Sequence, residues 1–338
     1  MKPLKPLFIV VSILLALTFV LPSLLVLPSA KEKDGPHLSE LKQESKKVVD
    51  SSKTEVAVFR NATETIETLP LEEYVVGVVA SEMPAEFEIE ALKAQALAAR
   101  TYITNYLLNS SEDKSLPDGA NITDTVNHQV FKNKEELKKQ WGKDFEKKYK
   151  KITEAVQATE GEILTYQDKP ITASFFSTGN GFTENSEEYW ENKIPYLKSV
   201  ESPWDTQAPE FESKKTLSVA EFEEKLGVKI SDSKDIGTIT GRTTGNKVAA
   251  VKINDKTFTG REIREKLDLR STHFTWQRNG NSVIITTKGY GHGVGMSQYG
   301  ANGMAKEGKN YRDIVEHYYK DVSITKANDF MDKKYVSK

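Results

Sequence analysis

The sequence predicts an α+β fold: a helical core packed on antiparallel strands, with an inserted, mostly β lobe, after a single N-terminal transmembrane helix. Two stretches with helical periodicity, 71–81 and 85–108, predict the core. Strand patterns before and after them predict the sheets. A change to a mainly strand-like pattern over 205–283 predicts the lobe. A chain of 338 residues suffices for one large or two ordinary domains with hydrophobic cores.

The overall composition excludes several classes of partner and cofactor. Forty-seven basic and forty-nine acidic side chains leave a formal net charge of −2, so no global field favours nucleic acid. Cysteine is absent, which removes disulfides, thiolate zinc sites and cysteine nucleophiles. The five histidines lack the spacing of metal ligands, so we expect neither a metal nor another cofactor.

The N-terminus predicts a membrane anchor. Residues 1–6, with Lys2 and Lys5, form a cytoplasmic tip, and the uncharged residues 7–28 are long enough for the roughly 20 residues of a bilayer-spanning helix. A cleaved signal peptide is the alternative, although it would have a shorter apolar region and a small-x-small site. In either case the positive-inside rule exports the rest of the chain. The charged residues 29–53 predict a solvated stalk.

The exported part is predicted as one domain over 54–338. Alternating apolar residues over 56–59 predict a strand, and the alanine-rich helix over 85–108 should pack closely against its neighbours. The later elements are helices over 134–150, 297–306 and 311–319 and a strand pair over 162–166 and 171–176. Within the lobe, a capping box at Ser218-Val-Ala-Glu221 opens a short helix, and Asn279-Gly280 turns a hairpin.

Glu82 is the first candidate for chemistry. If 71–81 is a helix, Glu82 extends the apolar face of Leu71, Val75 and Val78, so its carboxyl points inward. The helix C-terminus and desolvation both favour the protonated form. Such an environment raises the pKa of a glutamic acid toward about 6, where it can donate a proton near neutral pH. The alternative is a glutamate that turns out to solvent at a frayed helix end.

Several polar residues are candidates for binding a substrate. Arg100 could hold a carboxylate or a sugar hydroxyl with forked hydrogen bonds, although a structural ion pair is the commoner role. Ser177 and Asn180 lie in a small turn after a strand and suit sugar hydroxyls, although a plain turn is the alternative. Tyr196 and Lys198 lie among aromatic residues whose rings could stack on sugar faces or simply fill the core.

The segment from Gly289 to Gly300 has glycine at alternate positions up to 295. Since each glycine destabilises regular structure by roughly 0.5–1 kcal/mol relative to alanine, we expect the backbone to be exposed for a ligand. The loop delivers His292 just before a helix whose N-cap is Ser297, so both could meet one site. A structural histidine is the alternative. The spacing is not a nucleotide-binding fingerprint, since the strand-to-helix context is missing.

Four motifs, in this order, resemble the stage II sporulation protein D family: Val-Val-Ala-Ser-Glu82-Met-Pro, Ala-Leu-Ala-Ala-Arg100-Thr-Tyr, Phe176-Ser-Thr-Gly-Asn-Gly and Gly-His292-Gly-Val-Gly-Met-Ser-Gln298-Tyr-Gly. The resemblance implies a peptidoglycan lytic transglycosylase with Glu82 as its catalytic acid. Substrate-binding roles follow for Arg100, Tyr196, Lys198 and His292, and Ser177, Asn180 and Gln298 join them from the same motifs. Some relatives carry a cysteine-containing zinc cluster, which is not transferred to a chain without cysteine.

The resemblance further implies a place and partners. The enzyme would act on peptide-stripped glycan strands during engulfment. It would be anchored in the mother-cell membrane, with its domain facing the intermembrane space around the forespore. It would work with stage II sporulation protein P, which strips stem peptides, and stage II sporulation protein M. A single carboxyl suffices, because the substrate's own 6-hydroxyl can attack and leave a 1,6-anhydro end. The competing hypothesis is a non-catalytic module that binds glycan or activates an amidase.

Overall fold

The computed structural model describes residues 54–109, 116–233 and 235–331. The predicted anchor over 7–28 and stalk over 29–53 lie outside the described residues. Within the part of the chain that is described, no helix is long and apolar enough to cross a membrane.

The described residues combine helices with small, mainly antiparallel sheets, which confirms a mixed α+β fold. The helices are α1 Leu71–Glu82, α2 Ile89–Asn109, α3 Lys134–Trp141, α4 Phe145–Ala158, α5 Val219–Leu226, α6 Gly260–Lys266, α7 Gln298–Lys306 and α8 Tyr311–Tyr318. The strands are β1 Glu55–Arg60, β2 Thr65–Pro70, β3 Ile122–Thr123, β4 Glu162–Tyr166, β5 Lys169–Pro170, β6 Phe175–Phe176, β7 Glu212–Ser218, β8 Thr238–Arg242, β9 Val248–Ile253, β10 Lys256–Thr259, β11 Phe274–Asn279, β12 Ser282–Lys288, β13 Met296–Ser297 and β14 Ser323–Lys326.

The first two helices form the centre of the molecule. Helix α1 ends where Met83, which precedes Pro84, adopts extended backbone at φ −128°, the conformation that a following proline favours. The prediction for α1 is therefore confirmed to within a residue. Helix α2 begins at Ile89 rather than near 85, because a turn with a hydrogen bond from the Phe87 N–H to the Pro84 carbonyl intervenes. Its fully buried alanines let α2 pack against α1, α4, α7, α8 and β4.

Two predicted elements have different boundaries. The helix predicted over 134–150 is two helices, α3 and α4, because Gly142 at φ +52° interrupts the regular backbone. The strand pair predicted over 162–166 and 171–176 is wrong in its second member: β4 pairs with β5 and with β14. Strand β6 instead pairs in parallel with the distant β13.

Residues between β7 and β12 build a second hydrophobic cluster, separate from the cluster around α1 and α2. It contains a sheet of order β11–β12–β7 and another of order β10–β9–β8, together with α5 and α6. The hairpin at Asn279-Gly280 is confirmed by the register of β11 and β12, and Ser218 caps α5 by accepting a hydrogen bond from the Glu221 N–H. The lobe boundaries at 205 and 283 remain a prediction.

Candidate functional site

Glu82 is the last residue of α1, and its side chain is half-buried. The Val130 N–H donates a hydrogen bond to its Oε1 at 3.0 Å. Burial raises the pKa of Glu82 above its ordinary value of 4.5, and the hydrogen bond from Val130 opposes this by a smaller amount. The carboxyl is therefore fixed at one oxygen and favours its protonated form more than a glutamic acid in water does.

The segment 129–132 lies along one face of α1 and supplies that hydrogen bond. The Tyr74 hydroxyl donates to the Gln129 side-chain carbonyl at 3.1 Å, and the Tyr74 ring stacks on Phe131 with centroids 5.4 Å apart. Gly77 lies about one turn further along α1, where an added Cβ would come within 2.3 Å of the Phe131 ring. The glycine in the middle of α1 thus lets the segment approach closely enough to reach Glu82.

Arg60 holds segment 129–132 from its other side. Its guanidinium lies 4.9 Å from the centre of the Phe131 ring. It also pairs with Glu67 at 2.7 Å, with Asp124 at 2.9 Å and with Glu136. The Arg60 side chain is only 9% exposed and is held by three carboxylates, so it provides a fixed surface for the segment that positions Glu82.

The turn that follows Glu82 packs against the start of α7. The rings of Phe87 and Tyr299 meet edge to face with centroids 4.9 Å apart. Gln298, the first residue of α7, donates from its Nε2 to the Gln95 Oε1 on α2 at 3.4 Å. The Nε2 of the fully buried Gln95 has no hydrogen-bond partner within the described structure. An amide pair with a spare donor therefore lies in the same region as the turn after Glu82.

The two glycine-containing motifs run side by side. Strands β6 and β13 pair in parallel, and the Tyr299 N–H donates to the Ser177 carbonyl at 3.1 Å. Further along, Thr178 and Tyr290 form an antiparallel bridge. The structure therefore brings the segment of Ser177 against the segment that holds His292 and Gln298, which lies more than a hundred residues later in the sequence.

The alternate glycines serve packing, and the predicted reason for them is wrong. Gly293 and Gly295 have positive φ angles of 89° and 82°, which residues other than glycine rarely adopt. A Cβ at Gly293 would lie 2.4 Å from the Lys247 Nζ, and one at Gly295 would lie 2.0 Å from the Ser174 carbonyl oxygen. The loop backbone is packed against its neighbours at these positions instead of lying open to a ligand.

His292 is enclosed by aromatic rings, with centroids 5.7 Å from Phe176, 5.8 Å from Tyr189 and 5.2 Å from Trp190. Its Nδ1 accepts a hydrogen bond from the Val294 N–H at 3.1 Å. Burial, more than any nearby cation, lowers its pKa to about 4, so the ring is neutral near pH 7. These contacts favour the structural alternative for His292.

Arg100 is fully buried and forms a structural ion pair. Its Nε and Nη2 donate to the two carboxylate oxygens of Glu72 at 2.8 and 2.6 Å. The remaining donors reach Thr159 and the carbonyls of Val156 and Glu162. Because Glu72 is at the opposite end of α1, about 15 Å from Glu82 along the helix, Arg100 is not part of the Glu82 surroundings. These contacts favour the structural ion pair that the sequence left as the alternative for Arg100.

The other predicted binding residues have partners within the fold. The Asn180 Nδ2 donates to the Gly245 carbonyl at 2.9 Å and contacts His273. The Tyr196 hydroxyl accepts from the Thr172 N–H at 2.9 Å. Lys198 pairs with Glu187 at 2.9 Å and stays 29% exposed. Asn180 and Tyr196 thus use polar groups to hold the structure, whereas Lys198 remains accessible.

No group of three or more histidine, aspartate or glutamate side chains in the described part of the chain is arranged to hold a metal ion. Sequence reasoning also missed three features: Tyr74, the amide of Gln95 and the segment 129–132. The glycine at position 77, in the interior of an otherwise apolar helix, was the pattern that could have indicated a close backbone contact. Nothing local could have indicated which segment makes that contact.

Comparisons with known proteins point to one family. A family model described as Stage II sporulation protein matches residues 59–166. The chain is 51% identical to Stage II sporulation protein D of Bacillus subtilis (strain 168) over 343 residues, covering 99% of each chain. It is 50% identical over 344 residues to the protein of the same name from Bacillus amyloliquefaciens, again covering 99% of each.

A more distant relative has another name. The Amidase enhancer of Bacillus subtilis (strain 168) is 31% identical over 303 residues, which cover 74% of this chain and 40% of that protein. The two close relatives and the family model, whose match spans Glu82, identify a sporulation protein. The chain belongs to the stage II sporulation protein D family.

Proposed function

We propose that this protein is a lytic transglycosylase that cleaves the bond between N-acetylmuramic acid and N-acetylglucosamine in peptidoglycan glycan strands. The observation that carries the proposal is the Glu82 carboxyl: half-buried, held at Oε1 by the Val130 N–H, and with its pKa raised by burial. A general acid needs these properties, because it must be protonated and fixed in position near neutral pH. The proposal assigns the other carboxylate oxygen to the substrate.

The reaction needs one carboxyl and no bound water. Glu82 donates its proton to the glycosidic oxygen as the bond from that oxygen to the muramic acid C1 breaks. The 6-hydroxyl of the same sugar then attacks C1 and passes its proton to the Glu82 carboxylate, which restores the acid. The products are a free 4-hydroxyl on one strand and a 1,6-anhydro ring on the other, and intramolecular attack supplies the high effective concentration.

The proposal keeps direct binding roles for Gln298, Ser177 and Lys198. Gln298 precedes Tyr299, which packs on the turn after Glu82, and its amide is proposed to meet a sugar hydroxyl or an N-acetyl carbonyl. The fully buried Gln95 accepts a hydrogen bond from Gln298 and so orients that amide. Ser177 lies on the neighbouring motif, and Lys198 is accessible enough to meet the lactyl carboxylate of muramic acid. The roles suggested for His292, Asn180 and Tyr196 become indirect, since their described contacts lie within the fold.

The setting of this activity is likewise a proposal. Family membership and the uncharged stretch 7–28 support a single-pass protein in the mother-cell membrane, with its domain facing the forespore. There it would degrade the septal wall during engulfment. Its substrates would be glycan strands from which stage II sporulation protein P has removed the peptides, and it would form a complex with stage II sporulation protein M. The single essential carboxyl makes no demand on a metal or cofactor.

The test is mass spectrometry of the products formed by the full-length chain, purified in a mild detergent, from peptide-free glycan strands. We expect 1,6-anhydro ends from the unaltered chain and at least a thousandfold fewer from Glu82→Gln, since the donor proton is lost while the shape is kept. Glu86→Gln is the matched control, because it makes the same change four residues away on a carboxyl that is 65% exposed. Reducing ends in place of anhydro ends would contradict the proposal.

The second candidate is a non-catalytic module that binds glycan or activates an amidase. It is favoured by the relative named Amidase enhancer and by the internal partners of Arg100 and His292. This candidate predicts glycan binding with no cleavage, and an amidase that acts faster when the protein is present. Glycan binding with no cleavage product from either the unaltered chain or Glu82→Gln would select it.

A further inference from the structure

A cleft of about 390 Å³ lies between residues 184–191 and the lobe, and none of the roles above uses it. Its lining includes Glu188, Tyr189, Trp190 and Glu191 from that segment, and Arg242 and Arg261 from the lobe. The volume lies within the range of about 300–1,000 Å³ that is typical of small-molecule sites.

The two aromatic rings of this cleft are held in fixed orientations. The Tyr189 hydroxyl accepts a hydrogen bond from Arg264 Nη1 at 2.6 Å, and the Arg261 guanidinium lies 5.3 Å from the ring centre. The Trp190 ring packs on His292. Both rings are half-buried, so each keeps part of its surface for a ligand. A fixed, partly open ring loses little conformational entropy when a flat apolar surface stacks on it.

The polar groups around the rings include both donors and acceptors. Glu191 and Arg242 are exposed, one on the segment 184–191 and the other on the lobe. The Glu188 Oε1 already accepts from the Thr244 N–H at 2.7 Å, which fixes that carboxylate in the cleft. Arg261 is paired with Glu265 at 2.8 Å. Two further lining glutamates, Glu184 and Glu187, are paired with Lys247 and Lys198. That leaves two glutamates against two arginines, so the cleft suits an uncharged ligand whose hydroxyls can donate to carboxylates and accept from guanidinium groups.

We propose that this cleft binds an oligosaccharide of N-acetylated amino sugars, with one sugar face stacked on Trp190 or Tyr189. Sugars combine an apolar ring face with a rim of hydroxyl and amide groups, which is the combination that this lining offers. The inference rests on the proposed function only for the origin of the ligand, a glycan strand. It gives the lobe a role: Arg242 and Arg261 form the second wall of a holding site apart from Glu82.

The experiment is isothermal titration of the full-length chain in detergent with tetra-N-acetylchitotetraose. We expect Glu191→Ala/Arg242→Ala and Trp190→Phe each to weaken the affinity at least tenfold. The matched control is Asp232→Ala/Arg278→Ala, which removes an acid and an arginine from the same lobe, away from the cleft. The affinity of this control variant for the tetrasaccharide should stay within twofold of that of the unaltered chain. Glu191 and Arg242 are exposed, so circular dichroism and melting should show that Glu191→Ala/Arg242→Ala is folded.

Two outcomes would overturn the inference. One is an unchanged affinity in both cleft variants. The other is that the cleft variants lose affinity for a stem tripeptide with a free amine but keep their affinity for chitotetraose. The occupant of the cleft would then be a peptide. The proposed function is tested separately: Glu82→Gln should keep the chitotetraose affinity and lose anhydro products. If the unaltered chain forms no anhydro ends but the cleft variants still lose affinity, the enzyme fails and the cleft stands.

Discussion

Burial of the Glu82 carboxyl makes its ionised form less favourable in the folded chain than in the unfolded one. Because the folded pKa is raised, the stability that this group contributes is complete below about 4.5 and is lost as the pH rises through the folded value. Glu82→Gln should therefore be more stable than the unaltered chain at pH 7, by about 1.4 kcal/mol for each unit of the rise. Thermal unfolding between pH 4 and 8 measures this, and a difference that does not close at the acidic end would contradict it.

The same raised pKa governs the activity. Since the acid must be protonated, kcat/KM should fall as the pH rises through the pKa of Glu82, and that descending limb should lie above pH 4.5. His292 should add no limb near its usual pKa of 6.5, because its own value is about 4. Anhydro-product rates at pH 3.5–9 check both points. Persistence of the limb in His292→Asn, if that variant folds, would assign it to Glu82.

Arg100 is expected to matter for stability rather than for glycan affinity. Arg100→Met should lower the free energy of unfolding by about 3 kcal/mol, because it leaves the Glu72 carboxylate, which is 22% exposed, without its partner. Arg312→Met is the control: Arg312 is 49% exposed in its pair with Glu162, so we expect a loss under about 1 kcal/mol. Denaturant unfolding compares them. A stable Arg100→Met with weakened glycan binding would restore the substrate role.

At Glu82 the sequence was informative because helical periodicity and the following Met83-Pro84 determine both the direction and the position of the side chain. The same periodicity could not assign Arg100, because it indicates that a side chain is buried but not which group it meets. The partner, Glu72, is twenty-eight residues earlier and on another helix. Long-range pairing of this kind depends on how α1 and α2 cross, which no local pattern contains.

At the scale of elements, the contact between α1 and segment 129–132 is sensitive to a single added methyl group. Gly77→Ala would gain about 1 kcal/mol of helix propensity but put a Cβ 2.3 Å from the Phe131 ring, and relieving that overlap costs about 1–3 kcal/mol. We expect a net loss of stability. Displacing the segment also weakens the hydrogen bond from Val130, so the descending limb of activity should move to higher pH.

Gly241→Ala is the matched control for this change, since an added Cβ there meets only ordinary contacts at 3.7 Å. Denaturant unfolding and the pH profile of product formation should be altered in Gly77→Ala and unaltered in Gly241→Ala. A Gly77→Ala chain that is more stable than the unaltered one, with the same profile, would mean that segment 129–132 does not position Glu82.

Elements with strong local patterns were predicted well. The hairpin of β11 and β12, the capped start of α5 and the Ser297 cap of α7 all depend on residues within a few positions of each other. The pairing of β6 with β13 could not be predicted, because two-residue strands have no periodicity and their partners are remote in the sequence. The motifs indicated that both segments matter, but not that they touch.

For the molecule as a whole, a buried ion pair joins the lobe to the core. Lys247 and Glu184 lie 3.2 Å apart with side chains only 2% exposed. Burial lowers the pKa of Lys247 and raises that of Glu184, while each favours the charged form of the other. Lys247→Met should therefore destabilise the chain by about 3–5 kcal/mol, because it leaves a buried carboxylate without its cation.

The double variant Lys247→Met/Glu184→Gln should recover most of that loss, since no charge remains buried. Guanidinium chloride unfolding measures the cycle, and equal losses in the single and double variants would contradict the argument. The position of Gly293 follows from the same pair, as any side chain there would collide with the Lys247 Nζ. The glycine-rich motif is thus partly a requirement of how the lobe is seated.

The way the lobe leaves and rejoins the core makes it a removable unit. Strands β7 and β12 run antiparallel with Glu212 opposite Lys288, and the Gly289 N–H donates to the Phe211 carbonyl at 2.8 Å. The two ends are near enough for a short turn to replace everything between them. Such a shortened chain would also need Glu184 replaced by a neutral residue, because its cation departs with the lobe. Natural gain or loss of the lobe would therefore be expected to travel with the residue at position 184.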